Sequence, residues 1–154
     1  LFALVVVALT FSLSILVSHF ILAKFHEANE SVGGQQIINS TLMSKATTGF
    51  KIMSAGTILI IVLVGIIAVA YAYQVETNPV MLGIAVLVFI FAIGLSAFYS
   101  NVFHIMATQT EMNTTANYHP TMVSVMEHLP KIVTVFGLLV LIALYSRTRG
   151  GTFG

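Results

Sequence analysis

Thr77-Asn-Pro-Val-Met-Leu-Gly-Ile-Ala-Val-Leu-Val-Phe-Ile-Phe-Ala-Ile-Gly-Leu-Ser-Ala-Phe-Tyr-Ser-Asn-Val-Phe-His-Ile-Met-Ala-Thr-Gln-Thr110 contains no formally charged residue. At 1.5 Å per residue a helix through this stretch would run about 50 Å, well beyond the roughly 30 Å hydrocarbon core of a bilayer. Its last third, from Ser100 to Glu111, turns polar as an emerging helix would. Asn78-Pro79 supplies a helix start, since proline at the first helical position gives up an N–H that would be unpaired anyway.

Three more uncharged runs flank this one. Leu1 to Ala23 ends at Lys24, whose long side chain can reach the headgroups. Ile52 to Val75 lies between Lys51 and Glu76, with Tyr71 and Tyr73 where an interfacial belt would sit. The link from Glu76 to Pro79 is so short that spans two and three are expected to form a tight antiparallel hairpin. Ile38, Leu42, Ala46 and Phe50 recur every four residues ahead of span two, the stripe of an amphipathic helix feeding into it, with Gly33-Gly34 as the break before. Only fifteen residues separate Lys131 from Arg147, too few to cross unaided. That helix is therefore expected to start at His119-Pro120 and to kink at Pro130.

The expected fold is an all-α integral membrane protein, a four-helix transmembrane bundle in which helices two and three extend beyond the bilayer. It forms a single membrane domain over 1–154, with spans of about 1–23, 52–75, 79–103 and 130–146 and a polar cap of about 25–51 and 104–131. Composition agrees. The 154 residues are 58% hydrophobic and 7% charged, whereas soluble domains carry about a quarter charged residues. Small residues at four-residue spacing, Ala8 and Ser12 on helix one and Ala92, Ser96 and Ser100 on helix three, together with Gly65, Ala68 and Ala72 along one side of helix two, suit close helix contacts in lipid. Ser12, Ser14 and Ser18 are expected to bond back to backbone carbonyls. The chain opens on Leu1 rather than Met, so a further segment is expected ahead of it.

Lys24, Lys45, Lys51 and Lys131 place the cap in the cytoplasm or interior, while Arg147 and Arg149 pull the other way. Sequons at Asn29, Asn39 and Asn113 would suit an exterior cap in a glycosylating host. A formal charge of +1 gives no reason to expect nucleic-acid binding, and the absence of cysteine removes disulfides and thiolate metal sites.

No charge falls at hydrocarbon depth and no paired broken helices occur, which argues against a secondary transporter. The histidines are the remaining chemistry. His19, His26 and Glu30 share a face of helix one, His104 and Glu111 a face of helix three, and His119, Glu127 and His128 belong to helix four. A metal or haem held by His19 and His104, with His26, His119 and Glu111 nearby, is geometrically conceivable. A di-iron bundle, however, needs Glu-x-x-His on two helices, and none occurs. The expectation is therefore no metal, no cofactor and no catalysis. His26, Glu27, Glu30, Glu111, His119, Glu127 and His128 are expected to form a partner-binding cap, and Lys24, Lys51, Tyr71, Tyr73, Lys131 and Arg147 to act as interface anchors.

The first 23 residues look like the N-terminal helix of a type IV pilin, but Val5 stands where that family carries glutamate and three more spans follow. Asn78-Pro79 opening a long apolar helix that ends at Ser100-Asn101, then Glu127-His128-Leu129-Pro130 leading to a last span with an Arg/Gly tail, resembles small multi-span proteins of viruses with an internal lipid membrane. That resemblance implies a structural or assembly subunit, partnered by the bilayer and by other membrane or capsid subunits as a homo- or hetero-oligomer, in the virion membrane or a host cell membrane. The competing expectations are an accessory subunit of a membrane redox or energy-transducing complex with His-ligated haem or metal, and a holin-like pore.

Overall fold

The computed structural model describes residues 2–31, 40–76 and 78–150, and the described residues are almost entirely helical, with no strand among them. Six helices follow in order: α1 (Phe2–Ser31), α2 (Ser40–Gln74), α3 (Pro79–Thr108), α4 (Thr110–Asn117), α5 (Pro120–Glu127) and α6 (Leu129–Gly150). Ala3–Ala28, Met43–Gln74, Pro79–Thr108 and Leu129–Ser146 are long and apolar enough to cross a membrane. In lipid every backbone polar group must be satisfied within the chain, and helices do that segment by segment. The protein is an all-α, integral membrane helical bundle. Helices α2 and α3, with 35 and 30 residues, measure about 52 and 45 Å and so exceed the hydrocarbon core.

The helix ends follow local chemistry. Asn78 caps α3, its Oδ1 accepting from Met81 N at 2.8 Å, with Pro79 at the first helical position. At the other end Gln109 is extended (φ −61°, ψ 138°) and its carbonyl accepts from Met112 and Asn113, opening α4. Pro120 opens α5, as the His119-Pro120 pair predicts. The expected kink at Pro130 is sharper than a bend. Proline has no N–H to give to the preceding turn, and the chain divides at His128 into α5 and α6. His128 nevertheless accepts the next turn's first bond, from Ile132 N at 3.1 Å.

One expectation fails. Helices α2 and α3 do not pack on each other among the described residues; α6 lies between them, and its contacts with α3 and α2 are among the most extensive in the molecule, with α1 covering α2. Close approach of small residues explains why. Phe136 of α6 lies directly over Gly65 of α2, and Phe89 of α3 directly over Gly137 of α6, so that a Cβ at either glycine would collide with the ring.

The predicted small-residue stripes are otherwise inward. Ala8, Ser12, Gly65, Ala72, Ala92 and Ser96 are buried, and Leu4, Val5, Leu16, Ile61, Phe103, Met126, Leu129 and Val133 fill the rest of the core. Ser12 departs from expectation: its hydroxyl is buried with no hydrogen-bond partner rather than bonded back to α1. Gly83 and Gly94 face open space. Gly137→Ala and Gly65→Ala should therefore each destabilise the bundle by about 1–3 kcal/mol through overpacking. Gly83→Ala and Gly94→Ala should be neutral or slightly stabilising. Unfolding of the four variants in detergent micelles measures the difference.

Candidate functional site

The cap is built where α1 and α2 emerge beside the short helices α4 and α5. Pro120 disfavours helical backbone at the residue before it, and His119 accordingly sits at φ −126°, ψ 52°, outside both helices. From this corner its ring enters the bundle. His119 Nε2 lies 2.9 Å from His19 Nδ1 of α1, and the residues are 1% and 2% exposed. Phe50 of α2 stacks on His19 at 5.4 Å between centroids, Tyr118 meets it edge-on at 5.5 Å, and Lys51 Nζ lies 5.9 Å from the Tyr118 ring centroid.

Two neutral imidazoles at this distance need one proton between them. His119 Nδ1 is buried and has no partner. Were His19 the donor, neutral His119 would carry its own proton on Nδ1, an N–H without an acceptor. Donation from His119 Nε2 to His19 Nδ1 leaves only a bare lone pair there, the less costly defect. Burial, then His19, then the positive charge of Lys51 push the His119 pKa below its ordinary 6.5. The pair is thus a neutral, aromatic-walled clasp between α1 and the α4–α5 turn.

The other predicted residues distribute around it. His26, Glu27 and Glu111 line one cavity of about 530 Å³ with His19, Lys24 and Tyr118. Lys24 pairs with Glu27 at 2.9 Å across one helical turn, and both are exposed. His104 does not meet His19. Its Nδ1 lies 3.1 Å from Glu127 Oε1, and Ser100 donates to the Glu127 carbonyl at 3.2 Å, tying α3 to the end of α5. His128 Nδ1 donates to Ser124 O at 2.8 Å and closes the α5–α6 break.

Among the described residues no group of three or more His or Glu side chains is arranged to hold a metal ion. Tyr71 and Tyr73 are exposed near the far end of α2, and Lys24, Lys51 and Lys131 are exposed as well. The side chains of Glu30 and Arg147 lie outside the described residues. Sequence reasoning missed Phe50 and Tyr118 as walls of the histidine pair, and it paired His19 with the wrong helix. The contact joins residues 100 positions apart, and the one local signal is the Tyr118-His119-Pro120 corner.

Removing one ring should strand the other. His19→Leu should cost about 1–3 kcal/mol, and His19→Leu/His119→Leu less than the sum of the two single variants; denaturation of the set in micelles gives the coupling. The pH dependence has a definite sign. Unfolded His119 binds a proton more readily than the folded residue, so the unfolding midpoint should hold steady above pH 6.5 and fall as the pH drops below it. In His119→Leu that acid limb should be blunted. No family model, no curated protein and no solved structure matches this chain.

Proposed function

We propose that this protein is a non-enzymatic structural or assembly subunit that anchors a larger complex to a lipid bilayer through its four spans and meets its neighbours through its polar cap. One observation carries the reading: the interior of the spanning region is solid. Leu4, Val5, Ala8, Ile61, Ala92 and Val133 are each at most 2% exposed, so apolar side chains pack the space between the helices. Among the described residues this core favours a subunit that holds position over one that conducts a solute.

The cap suits a docking surface of modest affinity. Glu111, Glu127 and His128 are exposed on α4, α5 and the break after α5, with Lys24 and Glu27 beside them on α1. Charged groups at a rim set register and partner choice more than affinity. The setting favoured by the sequence resemblance is the internal membrane of a virion, with the cap against a capsid shell or against further copies. The accessory redox subunit is less well supported, since His19 and His104 take different partners, His119 and Glu127.

Charge reversal separates docking from folding. Glu111→Lys is an exposed change on α4 and should weaken co-purification with the partner subunits while leaving the unfolding midpoint unchanged. The protein purified from its native membrane should show no Soret band and no stoichiometric iron or copper, and alone in liposomes it should leave conductance at baseline. A haem spectrum would overturn the structural reading, and ion leakage would favour the pore.

A further inference from the structure

A second cavity, of about 380 Å³, opens on the α2 side of the histidine pair and is lined by Lys51, Ser54, Asn117, His119, Pro120 and Thr121 among others. Among the described residues no acidic side chain lines it, whereas the cavities holding Lys24 and His104 each include glutamate. The N-terminus of α5 lies at this cavity, without a side-chain cap. Because Pro120 has no N–H and Val123 N already bonds His119 O, the backbone donors left over are those of Thr121 and Met122. Such a terminus carries partial positive charge and favours an anion.

The independent observation is His119 itself. It is 1% exposed, Nε2 is committed to His19, and Nδ1, on the other edge of the ring, is buried without a partner. A buried polar atom left unsatisfied is costly, and a bound anion would remove the defect by drawing the other neutral tautomer, in which His19 Nδ1–H donates to His119 Nε2 and His119 Nδ1–H donates to the anion. Lys51, exposed and free of any carboxylate partner among the described residues, is held over the Tyr118 ring at the cavity wall.

From these features we infer that the cavity between α2 and the start of α5 is a binding site for a phosphate-bearing anion, held by Lys51, the hydroxyls of Ser54 and Thr121, the free N–H groups of α5 and His119 Nδ1. Its depth matches a lipid phosphate. Lys51 closes span two on the cap side, and Ser54 lies less than one turn further in, at the boundary between hydrocarbon and headgroups. The headgroup layer extends about 5–7 Å beyond the hydrocarbon on each face. An anionic phospholipid would place its phosphodiester in the cavity and its chains along the exposed apolar face of Leu59 and Val62. A soluble phosphate would use the same donors. The inference does not depend on the cap's protein partners.

The test uses the intact protein in two settings. In phosphatidylcholine nanodiscs with a minor share of phosphatidylglycerol, native mass spectrometry should show phosphatidylglycerol retained preferentially by the wild type and by Lys45→Gln. Lys51→Gln should lose that preference by about tenfold, the worth of one charge-assisted contact. In uncharged detergent, nitrogen NMR should show His119 Nδ1 changing from a bare lone pair to a protonated or hydrogen-bonded nitrogen on addition of the lipid. If inorganic phosphate alone produces that change and no lipid is retained, the ligand is a soluble phosphate. Equal losses in Lys45→Gln and Lys51→Gln, reflecting general surface charge, or an Nδ1 signal unmoved by either addition, would overturn the site.

Discussion

Everything in this bundle depends on how closely α6 can approach its two neighbours. Lipid tails are as apolar as the side chains they would replace, so helix association in a membrane draws on packing rather than on the expulsion of water. Two contacts supply that packing, the ring of Phe136 over Gly65 and the ring of Phe89 over Gly137. Each sets a large flat side chain against bare backbone, one on either side of α6, and together they fasten α2 and α3 to a helix instead of to each other. The cap inherits its geometry from this arrangement. Helix α5 runs into α6 through His128, so the position of α6 fixes where Pro120 and His119 meet α1 and α2.

The elements themselves were legible in the sequence because each is written locally. Uncharged runs gave four spans, Asn78-Pro79 gave the start of α3, and His119-Pro120 gave the start of α5. Small residues spaced three or four apart on α1, α2 and α3 pointed to inward faces, and Ala8, Ser12, Gly65, Ala72, Ala92 and Ser96 are buried. Neighbour relations were not legible. A short link between α2 and α3 looks like a hairpin from sequence distance alone, and nothing near Glu76 records that Gly65 on α2 and Gly137 on α6, 72 positions apart, receive the rings that seat α6 between α2 and α3.

The same limit applies to the cap. His19 and His104 looked like partners because both sit near the membrane boundary on long helices, yet the ring that reaches His19 comes from the α4–α5 corner. Gln109 made the difference. By breaking α3 it sends the chain into α4, which packs back against α1 and α3 and carries Tyr118 and His119 to the mouth of the bundle. A break at a single polar residue between two threonines is a weak signal against a strongly helical background. Aromatic walls around the pair, from Phe50 and Tyr118, have no sequence pattern at all.

The place of α6 in the chain sets an order of events. Helix α6 is synthesised after α2 and α3, yet it packs between them. Until it arrives, α2 and α3 can only be joined by the residues around Glu76, and the slot between them must be filled by lipid or by a weaker α2–α3 contact. Completion of the fold therefore displaces whatever stands in that slot. The backbone at Gly65 is the surface that receives Phe136 at this closing step, and the Val75–Asn78 link is the tether that keeps the two outer helices within reach until then.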